Sequence, residues 1–285
     1  MPTNVSKARL SAIQMHSVPD VDENLQALRL ILIKLVSEFG NNQEHLVVLP
    51  EACLYFGGKD KAQLSFCEDL GQGHMQASLA QLAKDFSIYL LAGTIPLNSD
   101  EANKFTASSL LFSPQGECLS DYQKIHLFDV DVDDNEKSYR ESLFTTPGEK
   151  VVMTQLSSIK LGMSVCYDLR FPELFRSLRV LGANVIAVPA AFTKVTGNAH
   201  WQPLLQARAI ENQVYMVAAG QVGTHKNGKQ TYGHSMIVNP WGEIVAIKEE
   251  GTGYISIELE PELISKARAD IPVHTHNQFS VTLNK

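Results

Sequence analysis

The succession of strand-like and helix-like segments constrains the fold of this chain more than any other feature. In residues 8–98, the apolar runs ARLSAIQM, HLVVLPE and IYLLAGTIP alternate with two segments whose apolar residues recur at helical spacing. The first helical segment begins at Asp20, with Glu23 in the position of a capping box, and stops at Gly40. The second lies around residues 75–86. This order is typical of an α/β fold.

The rest of the chain adds antiparallel pairs and further strand and helix units. FTASSLLFS and GECLSDYQK flank a turn at residues 114–116 and predict a hairpin. After residue 150 we expect strands at IKLGMSVC, NVIAVPAAF, VYMVAAG and TGYISIEL, a hairpin-like pair in YGHSMIVNPWGEIVAI, and a helix over about residues 200–212. One more helix is predicted to bury Leu174, Phe175, Leu178 and Leu181. Many strands with four or five helices imply two sheets packed face to face with helices outside, in one domain spanning residues 1–285.

Residues 128–150 interrupt this pattern. They are acidic and polar and have no sustained period, so we expect a long surface loop. Loops of this length are often functional, and the sequence does not tell whether the part at 128–140 closes over a site.

Composition and charge exclude several classes of protein. No stretch approaches the about 18 consecutive apolar residues of a membrane span, and the net charge of −7, with dispersed Lys and Arg, disfavours nucleic acid. The first residues lack the apolar run of a secretory signal, and four scattered cysteines do not form a disulfide framework. We therefore expect a cytoplasmic protein with free thiols.

Three polar residues stand where strand-like runs end. Glu51 follows LVVLP, Lys124 follows LSDYQ and Cys166 follows LGMSV. In α/β folds such ends carry sites, because the strand fixes the backbone while the side chain reaches an open crevice. Together the three suit acyl chemistry: Glu51 takes the thiol proton, Cys166 attacks a carbonyl carbon, and Lys124 favours the thiolate and stabilises the oxyanion.

Each of these residues also has a purely structural interpretation. Cysteine is among the most often buried residues, Glu51 can cap a helix, and Lys124 can be solvated. Spacing in the sequence does not decide whether they meet. A papain-like enzyme fits less well, because it needs a histidine base and Cys166 lacks the C-G-[SA]-C context.

Three motifs in order resemble a known family. LPEA around Glu51, YQKIHLFDVDV around Lys124 and GMSVCYDLRFPEL around Cys166 resemble the Glu, Lys, Cys signature of the nitrilase superfamily of carbon-nitrogen hydrolases. SAIQM, TGNAHWQPLLQARAIENQVY and YGHSMIVNPWGE are also similar to family segments. The resemblance implies a four-layer αββα sandwich, a homodimer or larger homo-oligomer, no metal or organic cofactor, and a thioester intermediate. It also implies a second glutamate, here Glu141, that helps to orient Lys124.

Two further glutamates and one backbone group complete this expectation. Glu136 and Glu149 are less well placed than Glu141, and we expect them to be solvated. The backbone N–H of Tyr167 follows the nucleophile and is available as a second oxyanion donor.

One acidic pattern resembles a calcium-binding loop but lacks two of the required residues. Asp129, Asp131 and Asp133 copy the opening of a calcium loop, yet Asp134 stands where glycine is needed and Arg140 where glutamate is needed.

The histidines do not form a metal site either. His274 and His276 are two apart with no third ligand nearby, so zinc is not expected. We expect His126, His200 and His234 to be hydrogen-bonded structural residues.

Within the superfamily, CYDLRFPEL, VAAGQVGTH and YGHSM are most similar to the deaminated-glutathione amidases. That branch implies hydrolysis of a small amide with an α-keto acid acyl group, releasing α-ketoglutarate and cysteinylglycine in metabolite repair. The similar ω-amidases, which release ammonia from α-ketoglutaramate, are the alternative. A non-catalytic binding subunit is the alternative from another class. Arg170 is a candidate for the acyl carboxylate, and an ion pair with Asp168 or Glu173 is its structural interpretation.

Overall fold

The computed structural model describes residues 8–133 and 138–283, so Asp134 and Glu136 of the predicted loop lie outside the described residues. The described strands are β1 Ala8–Gln14, β2 Glu44–Val48, β3 Tyr89–Asn98, β4 Phe105–Phe112, β5 Cys118–Gln123, β6 Asp129–Asp131, β7 Ser138–Arg140, β8 Met153–Gln155, β9 Lys160–Met163, β10 Val185–Ala190, β11 Tyr215–Gly220, β12 Val222–Thr224, β13 Gln230–Tyr232, β14 Ser235–Val238, β15 Ile244–Lys248 and β16 Gly253–Glu258. The described α-helices are α1 Val21–Phe39, α2 His74–Phe86, α3 Pro172–Val180, α4 Lys194–Asn212, α5 Pro261–Asp270 and α6 Val273–His276.

Two six-stranded sheets form the centre of the molecule. The first has the order β16-β1-β2-β3-β4-β5 and the second the order β15-β14-β11-β10-β9-β8. In the first sheet β1, β2 and β3 are parallel, and in the second β9, β10 and β11 are parallel. Strand β1 packs against β11 and β14, and β3 packs against β10, so the sheets lie face to face.

Alternation along the strands builds the layers. Leu10 and Ala12 of β1 belong to the core between the sheets, whereas Ile13 belongs to the core beneath α1 and α2. Helices α3 and α4 bury Leu178 and Trp201 on the second sheet. The four-layer αββα arrangement predicted from the sequence is therefore confirmed. None of the described helices is both long and apolar enough to cross a bilayer.

Helix α1 has the predicted ends. The Asp20 carboxylate accepts a hydrogen bond from the Glu23 N–H at 3.0 Å, and Gly40 follows the last turn with φ 72°.

Other boundaries were predicted less well. Helix α4 begins at Lys194 and not near residue 200, because the Thr193 side chain caps the earlier turn. Glycine fits inside α4 at Gly197, since a Cβ there would lie 2.4 Å from the Tyr232 side chain. Leu181 was wrongly placed on the buried face: it follows α3 and is 50% exposed. The expected loop at 128–150 contains the antiparallel pair β6 and β7.

Candidate active site

The ends of three strands from the two sheets meet at one pocket. Glu51 follows β2, Lys124 directly follows β5, and Cys166 follows β9 and begins a 3-10 turn over Cys166–Arg170. All three line the same pocket, together with Glu141, which begins a 3-10 turn after β7. The predicted residues are thus brought together, although Cys166 is 42 positions from Lys124 and 115 positions from Glu51 in the sequence.

Lys124 lies at the centre of the charged groups. Its side chain is 2% exposed, and Nζ donates hydrogen bonds to Glu51 Oε1 at 2.8 Å and to Glu141 Oε1 and Oε2 at 3.0 and 2.8 Å. Burial alone lowers the pKa of Lys124, but the charges of Glu141 and Glu51 outweigh it and raise this pKa well above the ordinary value. The ammonium group is therefore charged throughout the neutral range.

Glu51 interacts with both the lysine and the cysteine. Its Oε2 accepts a hydrogen bond from the Ala191 N–H at 2.9 Å, just beyond β10, and its negative charge acts on the buried Cys166 thiol. The buried Gln221 side chain donates to the Glu51 carbonyl oxygen at 3.0 Å and to Ser17 Oγ at 2.8 Å. These hydrogen bonds fix the backbone of Glu51 and so help to position its carboxylate.

The resting thiol of Cys166 is neutral. Burial and the negative charge of Glu51 raise its pKa well above the ordinary value, and the opposing effect of Lys124 does not compensate. Lys124 thus acts in the predicted direction, toward the thiolate, but its effect is outweighed. Glu51 lines the same pocket and can accept the thiol proton during attack.

Glu141 is a second acceptor for the lysine. Its Oε2 also accepts a hydrogen bond from the Phe128 N–H at 2.7 Å, which ties it to the chain just after Lys124. Burial raises the pKa of Glu141, with Lys124 opposing this shift and Glu51 adding to it. Glu149, by contrast, is exposed, as expected.

The turns that carry Glu51 and Cys166 have unusual backbone conformations. Cys166 has φ 47° and Ala52 has φ 52°, both in the left-handed region that ordinary residues seldom adopt. The Thr94 hydroxyl accepts a hydrogen bond from the Ala52 N–H at 2.8 Å. Each reactive side chain thus projects from a sharp turn at a strand end.

Asp168 connects the turn that carries Cys166 to the strand before Lys124, a role that the sequence did not indicate. This fully buried carboxylate accepts hydrogen bonds from the Val165 N–H at 2.8 Å and from the Tyr122 hydroxyl at 2.7 Å. It also bonds His126, through the backbone N–H at 3.1 Å and through Nδ1 at 2.7 Å. The Asp168 side chain therefore holds the residue before Cys166 and residues on both sides of Lys124.

Aromatic rings form much of the pocket wall. They are Tyr55, Phe56, Phe105, Phe128, Tyr139, Phe144, Tyr167 and Phe192. Arg170 lies behind this wall: its guanidinium carbon is 5.2 Å from the Phe192 ring centroid and 5.9 Å from that of Tyr167, and Nη1 is 3.2 Å from His200 Nδ1. Arg170 is not among the residues that line the pocket.

The expected structural histidines are hydrogen-bonded. His126 hydrogen-bonds Asp168, His200 hydrogen-bonds Arg170, and His234 Nδ1 lies 2.8 Å from the Tyr232 carbonyl oxygen. Within residues 8–133 and 138–283, no three His, Cys, Asp or Glu side chains are grouped as they would be to hold a metal ion.

Comparisons with known proteins agree on one family. The family model described as carbon-nitrogen hydrolase matches residues 9–269. The chain is 39% identical to a deaminated glutathione amidase of Yersinia enterocolitica, over 98% of this chain and 96% of that protein. It is also 39% identical to a deaminated glutathione amidase of Synechocystis sp., over 94% and 97%. The crystal structure of Saccharomyces cerevisiae Nit3, a member of branch 10 of the nitrilase superfamily, superposes with a TM-score of 0.86 at 32% identity, over 96% of this chain and 97% of that one.

Proposed function

This chain belongs to the carbon-nitrogen hydrolase family, and we propose that it is an amidase that hydrolyses deaminated glutathione to α-ketoglutarate and cysteinylglycine. The observation that carries the chemistry is the convergence of Glu51, Lys124 and Cys166 in one pocket, with Lys124 hydrogen-bonded to Glu51. Full-length relatives named deaminated glutathione amidase support the choice of substrate.

In the first half of the reaction, Cys166 is acylated. Sγ attacks the carbonyl carbon of the scissile amide while its proton passes to Glu51. The carbonyl oxygen takes up negative charge, and Lys124 Nζ and the Tyr167 backbone N–H stabilise it. As the C–N bond breaks, Glu51 returns the proton to the departing amine of cysteinylglycine, leaving an α-ketoglutaryl thioester on Cys166.

In the second half, water replaces the amine. Glu51 accepts a proton from a water molecule as its oxygen attacks the thioester carbonyl, and the same donors stabilise the second oxyanion. When the C–S bond breaks, the Cys166 sulfur recovers a proton from Glu51 and α-ketoglutarate is released. Glu141 keeps Lys124 in place in both halves through its two hydrogen bonds.

The acyl group of this substrate ends in an α-keto carboxylate. Arg170 stacks behind the rings of Tyr167 and Phe192 and supplies positive charge to that wall of the pocket without lining it. The ammonium group of glutathione itself would face this positive wall in place of the keto group, so glutathione is a poor substrate.

The assignment is tested by comparing substrates. We expect kcat/KM to be higher for deaminated glutathione than for α-ketoglutaramate, and much lower for glutathione and for simple nitriles. Equal or faster turnover of α-ketoglutaramate would identify an ω-amidase instead. If no amide is turned over and no acyl adduct forms on Cys166, the protein is a binding subunit and the proposal is wrong.

We also propose that the enzyme is cytoplasmic, because all four cysteines are free thiols and the cytoplasm is a reducing compartment. We also propose a homodimer or larger homo-oligomer. Its support is the exposure of large apolar side chains, among them Ile210 at 53% and Trp241 at 54%.

A further inference from the structure

One polar side chain of the pocket wall lacks a partner in the described part of the chain. Thr145 lines the pocket and is 2% exposed. Its hydroxyl makes no hydrogen bond to any residue within 8–133 and 138–283. A buried hydroxyl without a partner costs free energy, and a ligand that bonds it removes that cost.

The other described threonines of the pocket wall are already bonded within the protein. Their partners are the Ala52 N–H for Thr94, Thr196 for Thr193 and His225 for Thr231, each at 2.8 Å. Thr145 is therefore the described threonine of this wall whose hydroxyl is left for a ligand.

Backbone contacts hold Thr145 next to the charged groups. Its N–H donates to the Glu141 carbonyl oxygen at 3.0 Å, and Glu141 bonds Lys124 Nζ through both carboxylate oxygens. Thr145 also forms a β-bridge with Phe105 of β4, and the Thr146 N–H donates to the Phe105 carbonyl oxygen at 2.9 Å. A fixed segment of backbone therefore presents the hydroxyl.

The wall that contains Thr145 and the wall in front of Arg170 belong to different sheets. Thr145 is bridged to β4 of the first sheet, whereas Tyr167 and Phe192 follow β9 and β10 of the second. In the proposed function the acyl half of the substrate lies at the second wall, where Arg170 supplies positive charge. The leaving group then lies along the wall of Thr145.

The surroundings of Thr145 favour a neutral oxygen as its partner. Phe105 and Ala107, which are buried in the same wall, are apolar. Lys124 is already bonded to two carboxylates, so a third one buried here would compete with them for this cation. A peptide carbonyl oxygen needs only one donor, which a hydroxyl supplies.

We infer that the Thr145 hydroxyl donates a hydrogen bond to the peptide carbonyl oxygen of the cysteinylglycine leaving group and so selects peptide amides over the primary amide. The inference rests on the proposed function. The leaving group of deaminated glutathione carries this carbonyl, whereas the ammonia released from α-ketoglutaramate does not. Phe105 and Ala107 pack against the cysteinyl side chain of the same leaving group.

The test is the ratio of kcat/KM for deaminated glutathione to kcat/KM for α-ketoglutaramate. In Thr145→Val, which removes the hydroxyl at similar volume, we expect this ratio to fall about tenfold. Thr145→Ser keeps the hydroxyl and should keep the ratio. Thr146→Val is the matched control, because its hydroxyl bonds Ser99 at 2.7 Å and it does not line the pocket. Its ratio should stay at the wild-type value.

Two synthetic substrates locate the contact within the leaving group. The α-ketoglutaryl amide of cysteinamide keeps the carbonyl, and that of cysteamine lacks it. Thr145→Val should lower kcat/KM about tenfold for the first and leave the second unchanged. Its Tm should not fall, because no hydrogen bond of the described residues is lost, whereas Thr146→Val should lower Tm through the lost bond to Ser99.

An unchanged ratio in Thr145→Val, or an equal loss with both natural substrates, would overturn the inference and leave the proposed function standing. If the wild type does not hydrolyse deaminated glutathione at all, the proposed function has failed, and the inference fails with it.

Discussion

At the residue scale, the site combines a neutral thiol with a charged lysine. Burial and Glu51 keep the Cys166 thiol protonated, while Glu141 and Glu51 keep Lys124 protonated. The charge that substrate attack creates is thus met by a donor already in position. In the proposed mechanism the three residues act as one unit, so removing any of them should affect the chemical step more than binding.

Three substitutions test these roles. Cys166→Ala should abolish turnover without loss of folding, because it removes one small group at a strand end. Glu51→Gln and Lys124→Met should each lower kcat by a factor of about 10² or more, as expected for a lost general base or oxyanion donor. Lys124→Met should also lower Tm, since Glu51 and Glu141 lose their shared cation. Normal turnover by any of the three in steady-state assays would contradict the assigned role.

The direction of the pKa shifts predicts the alkaline side of the pH profile. The active form needs a neutral Cys166 thiol and a charged Lys124, and both pKa values are raised, so this form persists to higher pH than ordinary values allow. We expect kcat/KM to stay level between about pH 7 and 9, through the ordinary thiol value of about 8.5. A change in rate centred near that value would show an unperturbed thiol.

Asp168 is predicted to be a positioning residue. Asp168→Asn replaces an oxygen acceptor by an NH₂ group among the Val165, Tyr122 and His126 donors, so kcat should fall about tenfold or more with a smaller change in KM. Tyr122→Phe removes only one of these bonds and serves as the milder control. A purely structural role would lower Tm in both variants and leave kcat of the folded enzyme unchanged.

At the element scale, the strand ends position the chemistry through close backbone contacts. Strand β3 passes beside the turn after β2, and a Cβ on Gly93 would lie 1.7 Å from the Pro50 carbonyl oxygen. The next residue, Thr94, bonds the Ala52 N–H on the far side of Glu51. The position of Glu51 therefore depends on glycine at 93.

Gly93→Ala should consequently lower both stability and activity. The obstacle is backbone, which cannot move cheaply, so we expect a loss of about 3 kcal/mol or more in the free energy of unfolding. Gly71→Ala is the milder control: φ there is 83°, so alanine costs about 1–2 kcal/mol of backbone strain, but no atom lies within 4 Å of a Cβ. Equal unfolding midpoints of the two variants in denaturant titrations would contradict this account.

The elements that the sequence predicted have local signals, and those that it missed do not. Helix α1 was predicted because its period and its caps at Asp20 and Gly40 agree. The three-residue strands β8, β12 and β13 are too short for a period to be visible. The partners that give Asp168 and Gln221 their roles across the fold lie 42 to 204 positions away, so no local pattern could reveal those roles. Glu141 was found only through the family resemblance.

At the scale of the whole molecule, two buried histidines make stability depend on pH. Burial lowers the pKa of His45, in β2, and of His225, beside the pocket, from 6.5 to about 4. Between pH 6.5 and about 4, the unfolded chain binds a proton at each of these histidines and the folded chain does not. The free energy of unfolding therefore decreases as the pH falls. Each histidine contributes about 3 kcal/mol at most.

Denaturant unfolding at several pH values checks this prediction. The free energy of unfolding should be steady above about pH 7 and should fall between pH 6.5 and 4. His45→Gln, which keeps a polar group for Ser11 Oγ, should make the fall shallower. The same slope in wild type and variant would show that His45 does not contribute.

The proposed assembly is tested by mass. We expect light scattering at micromolar concentration to give at least twice the 31.5 kDa of one chain, since a second copy would cover apolar side chains such as Trp241. A monomeric mass would contradict the homo-oligomer.

Formation of a thioester on Cys166 is checked by mass spectrometry of wild-type enzyme quenched in acid during turnover of deaminated glutathione. We expect an α-ketoglutaryl group on the peptide that contains Cys166 and on none that contains Cys53, Cys67 or Cys118. An adduct on another cysteine, or turnover without any adduct together with activity in Cys166→Ala, would show that Cys166 is a buried structural residue and not the nucleophile.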